Sequence, residues 1–283
     1  MKNPTLLKEM LDYRGRDEMP DDFDTFWNKQ VAEVEVPQGY QLLEKDFQIA
    51  YATCYELTFK SGNSGQIYAK LVVPKLSEKV PVLFHFHGYM GQGWDWADML
   101  AYTAAGWGVV SMDVRGQSGY SLDGDREVRG NTVKGHIIRG ALDGPDQLFF
   151  KDVYLDVYTL VELVAGLDFV DENRLSSFGG SQGGALALVA ASLNSRIKQT
   201  VAIYPFLADF RRVLEIGNTS EAYDELFRYF NSHDPFHETE EQLLQTLAYI
   251  DVKNLAHRIS CPVQMIILSL IHISEPTRRT PIS

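Results

Sequence analysis

The segment Gly179–Gly184, with the sequence GGSQGG, constrains the fold of this chain more than any other part of it. It follows the apolar run RLSSF and precedes ALALVAASL, a strong helix former. A G-x-S-x-G pattern between a strand and a helix is typical of a nucleophile elbow, whose tight turn exposes a serine at the edge of a sheet. The pattern predicts Ser181 as a catalytic nucleophile. The alternatives are a glycine-rich turn for close helix–sheet packing, or a phosphate-binding loop that lacks its usual G-K-[ST] ending.

The hydrophobic pattern around this segment predicts a doubly wound α/β sheet. From Val80 onward short apolar runs alternate with helical stretches, an order that implies βαβ crossovers and mostly parallel, buried strands. Residues 40–74 contain three runs of strand character, and the turn sequence SGNSGQ between the last two predicts an antiparallel hairpin. We expect an N-terminal helical arm over residues 6–36, with a helix start at Pro20, and a helical insert over residues 207–259 that covers the strand ends.

Charge and composition exclude several classes of protein. The net charge is -12 and no basic patch is visible, so a nucleic-acid partner is not expected. Cys54 and Cys261 are the only cysteines, which excludes a disulfide framework and a cysteine zinc site and points to a reducing compartment or to simple burial. Charges interrupt residues 1–24 every few positions, unlike a secretory signal, and no run reaches the roughly 18 apolar residues of a membrane span. We therefore expect a soluble, cytoplasmic protein without a membrane partner.

An oxyanion-binding loop is predicted where an earlier strand ends. A serine nucleophile needs hydrogen-bond donors for the oxyanion of its tetrahedral intermediate. The sequence HGYMG at 87–91 follows the strand PVLFHF, and in the usual arrangement one donor is a backbone N–H of this loop, here that of Tyr89. The other is the N–H after the nucleophile, here that of Gln182. We expect the Tyr89 ring to face the acyl group, or alternatively to cover the core, while His87 and Gly88 brace the loop.

The histidines allow a second interpretation. His85 and His87 are two residues apart, so on a strand both point to one face and a metal pair is conceivable. No carboxylate or third ligand stands at a matching spacing, and we therefore expect no metal. His233, His237 and His257 lie in the predicted insert, where we expect them to be surface or packing residues.

Two further groups of residues have alternative roles. Trp94 and Trp96 are expected to open the next helix, where they either wall the pocket or pack in the core. Arg115 and Gln117 lie in the segment 113–117, which follows another strand. This segment is either the site of a surface ion pair or a rigid turn that supports the elbow.

Together these motifs resemble those of the acetyl xylan esterases and cephalosporin-C deacetylases of carbohydrate esterase family seven, which have the α/β-hydrolase fold. The matching segments are HFHGYMG at 85–91, RGQSGY at 115–120, GNTVKGHIIRG at 130–140, KDVYLD at 151–156 and GGSQGG at 179–184. The resemblance extends from the N-terminus to about Met265. Joint occurrence of HGYMG, RGQ and G-x-S-x-G is far more specific than any one of these motifs.

The resemblance implies deacetylation of xylo-oligosaccharides and of small esters such as the antibiotic cephalosporin C. It also implies no cofactor, a cytoplasmic location and a ring-like homohexamer with inward-facing active sites. It assigns the nucleophile role to Ser181 and the oxyanion role to the backbone N–H groups of Tyr89 and Gln182. The alternatives are a catalytically silent subunit and another α/β-hydrolase activity, such as that of a peptidase.

The C-terminal end departs from the family pattern. In this fold the order is serine, then an acid after a later strand, then a histidine. After the strand VQMII no carboxylate stands in the acid loop, and His272 precedes Glu275 at too short a spacing. Residues 268–278, LSLIHISEPTR, resemble the translation of a sequencing-adapter end. We therefore expect a hydrolase domain at 1–267 without its last strand and helix, a non-native tail at 268–283, and an inactive chain. The alternative is a genuine divergent tail.

Overall fold

The computed structural model describes residues 8–9, 11–124, 134–217 and 220–267. The tail at 268–283, with His272 and Glu275, lies outside the described residues. So do residues 6–7 and 10 of the predicted arm, residues 130–133 of one matching segment and residues 218–219 of the predicted insert.

In the described part of the chain, eight strands form one sheet. The strands are β1 Gln41–Lys45, β2 Ala52–Ser61, β3 Gly65–Pro74, β4 Val80–Phe86, β5 Gly108–Met112, β6 Val170–Gly180, β7 Ile197–Ile203 and β8 Val263–Ile266. Their spatial order is β1-β2-β3-β5-β4-β6-β7-β8. The pairs β1–β2, β2–β3 and β3–β5 are antiparallel, whereas the run from β5 to β8 is parallel. The carboxyl ends of the parallel strands therefore meet along one edge, where ligands bind in open α/β sheets.

The helices follow the predicted alternation. With bounds wholly inside the described ranges they are α1 Phe23–Ala32, α2 Trp96–Thr103, α3 Phe149–Ala165, α4 Gln182–Leu193, α5 Phe210–Glu215, α6 Asp224–Ser232, α7 Glu240–Leu247 and α8 Val252–Leu255. Short 3-10 turns lie at Pro145–Gln147 and Ala256–Arg258. None of these helices has the length and hydrophobicity of a membrane span in the described part of the chain.

Helices cover both faces of the sheet. Neighbouring residues of one strand point to opposite faces, so each face carries its own apolar side chains. On β5, Val109 packs with Met99 of α2 in a small apolar cluster, whereas Val110 belongs to the main core. That main core includes the buried faces of α3 and α4. The predicted doubly wound sheet is thus confirmed.

The remaining elements also match the prediction. The hairpin β2–β3 turns at the predicted sequence, with Ser61 opposite Gly65. The arm contains α1, whose N-cap is Asp22, two residues after the predicted start at Pro20. Helices α5 to α8 form the insert between β7 and β8. The expected lack of a last strand and helix concerns residues beyond Ile267 and stays a prediction.

Candidate active site

Ser181 lies on a sharp turn between β6 and α4, at the carboxyl edge of the sheet. Its backbone has φ 56° and ψ -120°, a region that residues other than glycine rarely adopt. The turn is held on both sides: the Ser181 N–H donates to the Ile203 carbonyl at 2.9 Å, and the Ser181 carbonyl accepts from the Phe206 N–H at 3.1 Å. Such strain persists only where the surroundings enforce it, and it is concentrated at functional sites.

The flanking glycines permit a close approach of α4 to the strands. A Cβ on Gly183 would lie 1.9 Å from the carbonyl oxygen of Phe86, and a Cβ on Gly179 would lie 2.3 Å from that of Gly183. No side chain fits at either position. The G-x-S-x-G pattern is therefore a steric requirement of this turn.

The two backbone N–H groups predicted as oxyanion donors belong to Tyr89 and Gln182. Within the described residues the Tyr89 N–H takes part in no hydrogen bond. Gln182 is the first residue of α4, and backbone N–H groups in the first turn of a helix have no intrahelical partner. An oxyanion can accept hydrogen bonds from such groups without breaking existing ones.

His87 holds the loop that carries Tyr89. Its Nε2 accepts from the Val114 N–H at 3.0 Å, so the proton is on Nδ1, which donates to the Gly88 carbonyl at 2.7 Å. The same carbonyl accepts from the Gly91 N–H at 3.0 Å. Burial lowers the pKa of His87, which favours this neutral form. The structure thus places His87 and Gly88 where a bracing role was expected.

Gln117 links the loop to the elbow. Its Oε1 accepts from the Met90 N–H at 2.8 Å, and its Nε2 donates to Oε1 of Gln182 at 2.7 Å. Both glutamines are buried. The residue after the nucleophile and the residue after Tyr89 are therefore connected through one side chain.

Arg115 is buried, so the surface ion pair considered for this segment is wrong. Its Nε and Nη2 donate to the two oxygens of Asp156 at 2.7 and 2.6 Å, and Nη2 also donates to the Gly62 carbonyl at 2.9 Å. Burial lowers the pKa of Arg115, but the neighbouring Asp156 carboxylate raises it by more, so the pKa lies above its ordinary value. This contact joins the turn after β5 to α3 and to the β2–β3 hairpin.

The two tryptophans pack against the small apolar cluster on the α2 side of the sheet, and no described ring contact joins them to Ser181. The Trp94 ring stacks on His85, with centroids 3.7 Å apart, and lies 5.4 Å from Tyr102. Trp96 contacts Phe47 at 5.4 Å. His85 faces the α2 side of the sheet, and Trp94 follows it there. Both tryptophans are partly buried, and their contacts favour the packing alternative.

His85 and His87 do not form a metal pair. Nδ1 of His85 lies 2.8 Å from the Ser111 hydroxyl, while both ring nitrogens of His87 are engaged as described above. Burial, with a smaller contribution from His87, lowers the pKa of His85 to about 3. Over the described ranges no group of three or more possible ligands is close enough to hold a metal ion.

The insert contributes a residue that the sequence analysis missed. Glu225, near the start of α6, is buried and accepts from the Tyr89 hydroxyl at 2.9 Å. The Tyr89 ring lies 5.5 Å from Phe206, 6.3 Å from Phe150 and 5.8 Å from His136. Glu225 shares a helix face with the buried Tyr229, four residues on. A carboxylate on an apolar helix face is the signal that reveals it.

The histidines of the insert contact residues other than Ser181. His237 pairs with Glu240, His257 lies 3.0 Å from Asp24, and His233 packs against the Tyr229 ring. Within the described residues no side chain hydrogen-bonds the Ser181 hydroxyl. Of the predicted site residues, the described part of the chain thus connects Gln182, next to Ser181, with the loop of Tyr89 through Gln117.

Residues 1–278 match a family model described as acetyl xylan esterase, AXE1. Acetyl esterase Axe7A of Xylanibacter ruminicola is 31% identical over 251 residues, which are 86% of this chain and 55% of the relative. The chain therefore spans about half the length of that relative.

Two solved structures are similar over most of the chain. Acetyl xylan esterase 1 from Thermoanaerobacterium sp. JW/SL YS485 is 43% identical with a TM-score of 0.86, covering 92% of this chain and 82% of its own. Acetyl xylan esterase from Paenibacillus sp. R4 is 29% identical with a TM-score of 0.81, covering 93% and 92%. The predicted α/β-hydrolase fold is confirmed.

Proposed function

Since the chain belongs to the acetyl xylan esterase family, we propose that it is a serine carboxylic-ester hydrolase that removes acetyl groups from acetylated xylo-oligosaccharides. The observation that carries this proposal is the position of Ser181 on a strained turn, linked through Gln182 and Gln117 to the loop of Tyr89. Acyl transfer of this kind needs no cofactor.

The proposed reaction has two steps. The Ser181 hydroxyl loses its proton as Oγ attacks the acetyl carbonyl carbon, the bond to the sugar oxygen breaks, and the sugar leaves as the free alcohol with that proton. Water then hydrolyses acetyl-Ser181 to acetate. The Tyr89 and Gln182 N–H groups stabilise the oxyanion in both steps, and loss of one such donor typically costs about 10²–10³ in kcat.

The general base and its acid partner are proposed to come from outside residues 1–267. We propose that residues 1–267 form the hydrolase domain and that residues 268–283 are a non-native tail. Because His272 precedes Glu275 in residues 268–283, opposite to the usual order of acid and histidine, we expect the chain with this tail to lack the proposed activity. His272 in the tail is predicted to take no part in catalysis.

The finer assignments are proposals too. Cephalosporin C is a further candidate substrate because it too is the acetyl ester of a small alcohol. A homohexamer is proposed on the family resemblance alone. A cytoplasmic location is supported by the free thiols of Cys54 and Cys261.

The test compares three proteins. The first is the full chain, the second its His272→Ala variant, and the third the restored chain, in which residues 268–283 are replaced by the C-terminal segment of a related acetyl xylan esterase. Acetate release from acetylated xylo-oligosaccharides and from p-nitrophenyl acetate is measured, with a peptide amide as the peptidase control. We expect activity on the esters in the restored chain only. Ester hydrolysis by the full chain that His272→Ala abolishes would contradict the prediction for the tail, and faster cleavage of the amide would contradict the esterase proposal.

A further inference from the structure

Glu225 joins three segments around the candidate oxyanion loop. It is the second residue of α6 and only 4% exposed. Its Oε1 accepts from the Tyr89 hydroxyl at 2.9 Å and from the Ile137 N–H at 3.0 Å. The Tyr89 hydroxyl in turn accepts from the His136 N–H at 3.3 Å. The insert, the oxyanion loop and the segment around residue 137 thus converge on one carboxyl group.

The contact fixes the far end of the Tyr89 side chain. The ring packs against Phe206, whose N–H donates to the Ser181 carbonyl at 3.1 Å, so the ring lies against the chain segment that supports the elbow. The next residue, Met90, is held by Gln117. Tyr89 is therefore clamped at its hydroxyl and beside its backbone, while its N–H has no partner within the described residues.

A buried carboxyl at this position is costly by itself. Burial raises the pKa of Glu225, although the Ile137 N–H and the Tyr89 hydroxyl act in the opposite direction. Its apolar neighbours on α6, Leu226 and Phe230, are buried without such a penalty. The contacts that offset the penalty are those to the segments around Tyr89 and Ile137.

We propose that Glu225 is a positioning residue, which holds Tyr89 so that its backbone N–H is aimed at the acyl oxygen. The inference rests on the proposed esterase function. Oxyanion donors act only when they are placed within fractions of an ångström, because a displacement of about 1 Å can cost on the order of 10² in rate. The helical insert thus contributes to the reaction without touching the reacting atoms.

The first arm of the test is amide hydrogen exchange in the full chain, which requires no catalysis. The variants are Glu225→Ala, Glu225→Gln and the matched control Asp224→Asn, which changes the neighbouring carboxylate that pairs with Lys134 at 3.4 Å. The amides followed are the bonded N–H groups of Met90 and Gly91. We expect about tenfold faster exchange in Glu225→Ala, and less than about threefold change in the other two. The amide oxygen of glutamine still accepts from the Tyr89 hydroxyl. Unchanged exchange in a folded Glu225→Ala would overturn the proposal.

The second arm measures kcat and KM for p-nitrophenyl acetate in the restored chain. Glu225→Ala and Tyr89→Phe should each lower kcat by about 10- to 100-fold with KM changed by less than about threefold, since both remove the same contact. Their combination should be no worse than either alone, and Glu225→Gln should restore most of the rate. If Glu225→Ala does not fold, Tyr89→Phe and Glu225→Gln carry the test.

Independent, additive losses would overturn the positioning role, as would full activity in Tyr89→Phe. Ser181→Ala, measured beside them, separates the two proposals. Activity retained without the Ser181 hydroxyl contradicts the esterase mechanism. Activity lost with Ser181→Ala but unaffected at Glu225 contradicts only the present inference.

Discussion

The side-chain amides of Gln117 and Gln182 pair with each other in both directions. Nε2 of Gln117 donates to Oε1 of Gln182 at 2.7 Å, and Nε2 of Gln182 donates to Oε1 of Gln117 at 3.2 Å. Since Gln117 also holds the Met90 N–H, this pair links the loop of one candidate oxyanion donor, Tyr89, to the residue that carries the other, Gln182. Both candidate donors are backbone N–H groups, so their positions depend on the side chains that hold the backbone around them.

Gln117→Ala should therefore separate the two donors and impair the reaction more than binding. We expect kcat in the restored chain to fall by about 10- to 100-fold, with KM within about threefold of the parent, because misplaced donors lose transition-state stabilisation. Steady-state kinetics with p-nitrophenyl acetate provides the measurement. Gln199→Ala, the same change at an exposed position of β7, serves as the control. Equal kinetics in the two variants would contradict the role assigned to Gln117.

Arg115→Met should destabilise the folded chain, because it leaves the buried Asp156 carboxylate without its counter-ion. Breaking a buried pair by removing one member costs about 3–5 kcal/mol, whereas an exposed pair contributes about 0–1 kcal/mol. Urea unfolding of the full chain measures the change. Arg174→Met, which breaks an exposed pair with Asp171, is the control. The double variant Arg115→Met with Asp156→Leu should recover part of the loss, and a loss equal to that of the control would show that the pair is not buried.

Asp251 should make stability depend on pH. Burial raises its pKa from 3.8 to about 6, even though Lys253 and the Asp209 N–H act in the opposite direction. Between these two values the folded state binds more protons than the unfolded state, so the free energy of unfolding falls as pH rises from about 4 to 6. The contribution is about 3 kcal/mol at most.

Asp251→Asn keeps an oxygen that can accept from the Asp209 N–H, which the aspartate binds at 2.7 Å, but removes the titrating group. The free energy of unfolding, measured by urea titration at several pH values between 4 and 7, should lose the corresponding slope. A profile parallel to that of the parent would show that Asp251 titrates near its ordinary pKa.

Acetyl esters should be hydrolysed faster than longer esters. The Tyr89 ring packs against the Phe206 ring beside the elbow, so two bulky aromatic rings lie near the proposed acyl site. A chain-length series of p-nitrophenyl esters on the restored chain measures the preference. Trp94→Leu should leave the acetate-to-octanoate ratio unchanged, because that ring stacks on His85 beneath α2. Faster hydrolysis of octanoate than of acetate would contradict the expected selectivity.

The sequence reveals the local parts of this structure and hides the long-range ones. The elbow at Ser181 is readable because strand, glycines and helix are contiguous, and the β2–β3 hairpin is readable from its turn. Arg115 and Asp156 are 41 positions apart, and no local pattern shows that they meet. The same limit hid the contact of Glu225 with Tyr89, 136 positions away.

The position of Trp94 illustrates a different limit. The sequence leaves two roles open for Trp94, a wall of the pocket or packing in the core, and the structure places it with His85 on the α2 side of the sheet. A few residues of loop after a strand are enough to carry a side chain to the other side of the sheet. Sequence distance from a motif therefore does not decide which face of the sheet a residue joins.

The most direct test of the central claim is to trap the acyl-enzyme. The restored chain is mixed with p-nitrophenyl acetate, quenched with acid and digested, and the acetylated residue is located by mass spectrometry. The account predicts one acetyl group on Ser181, and a fall of about 10⁶ in kcat for Ser181→Ala. Acetylation of a different residue, or retention of more than about a tenth of the activity by Ser181→Ala, would contradict it.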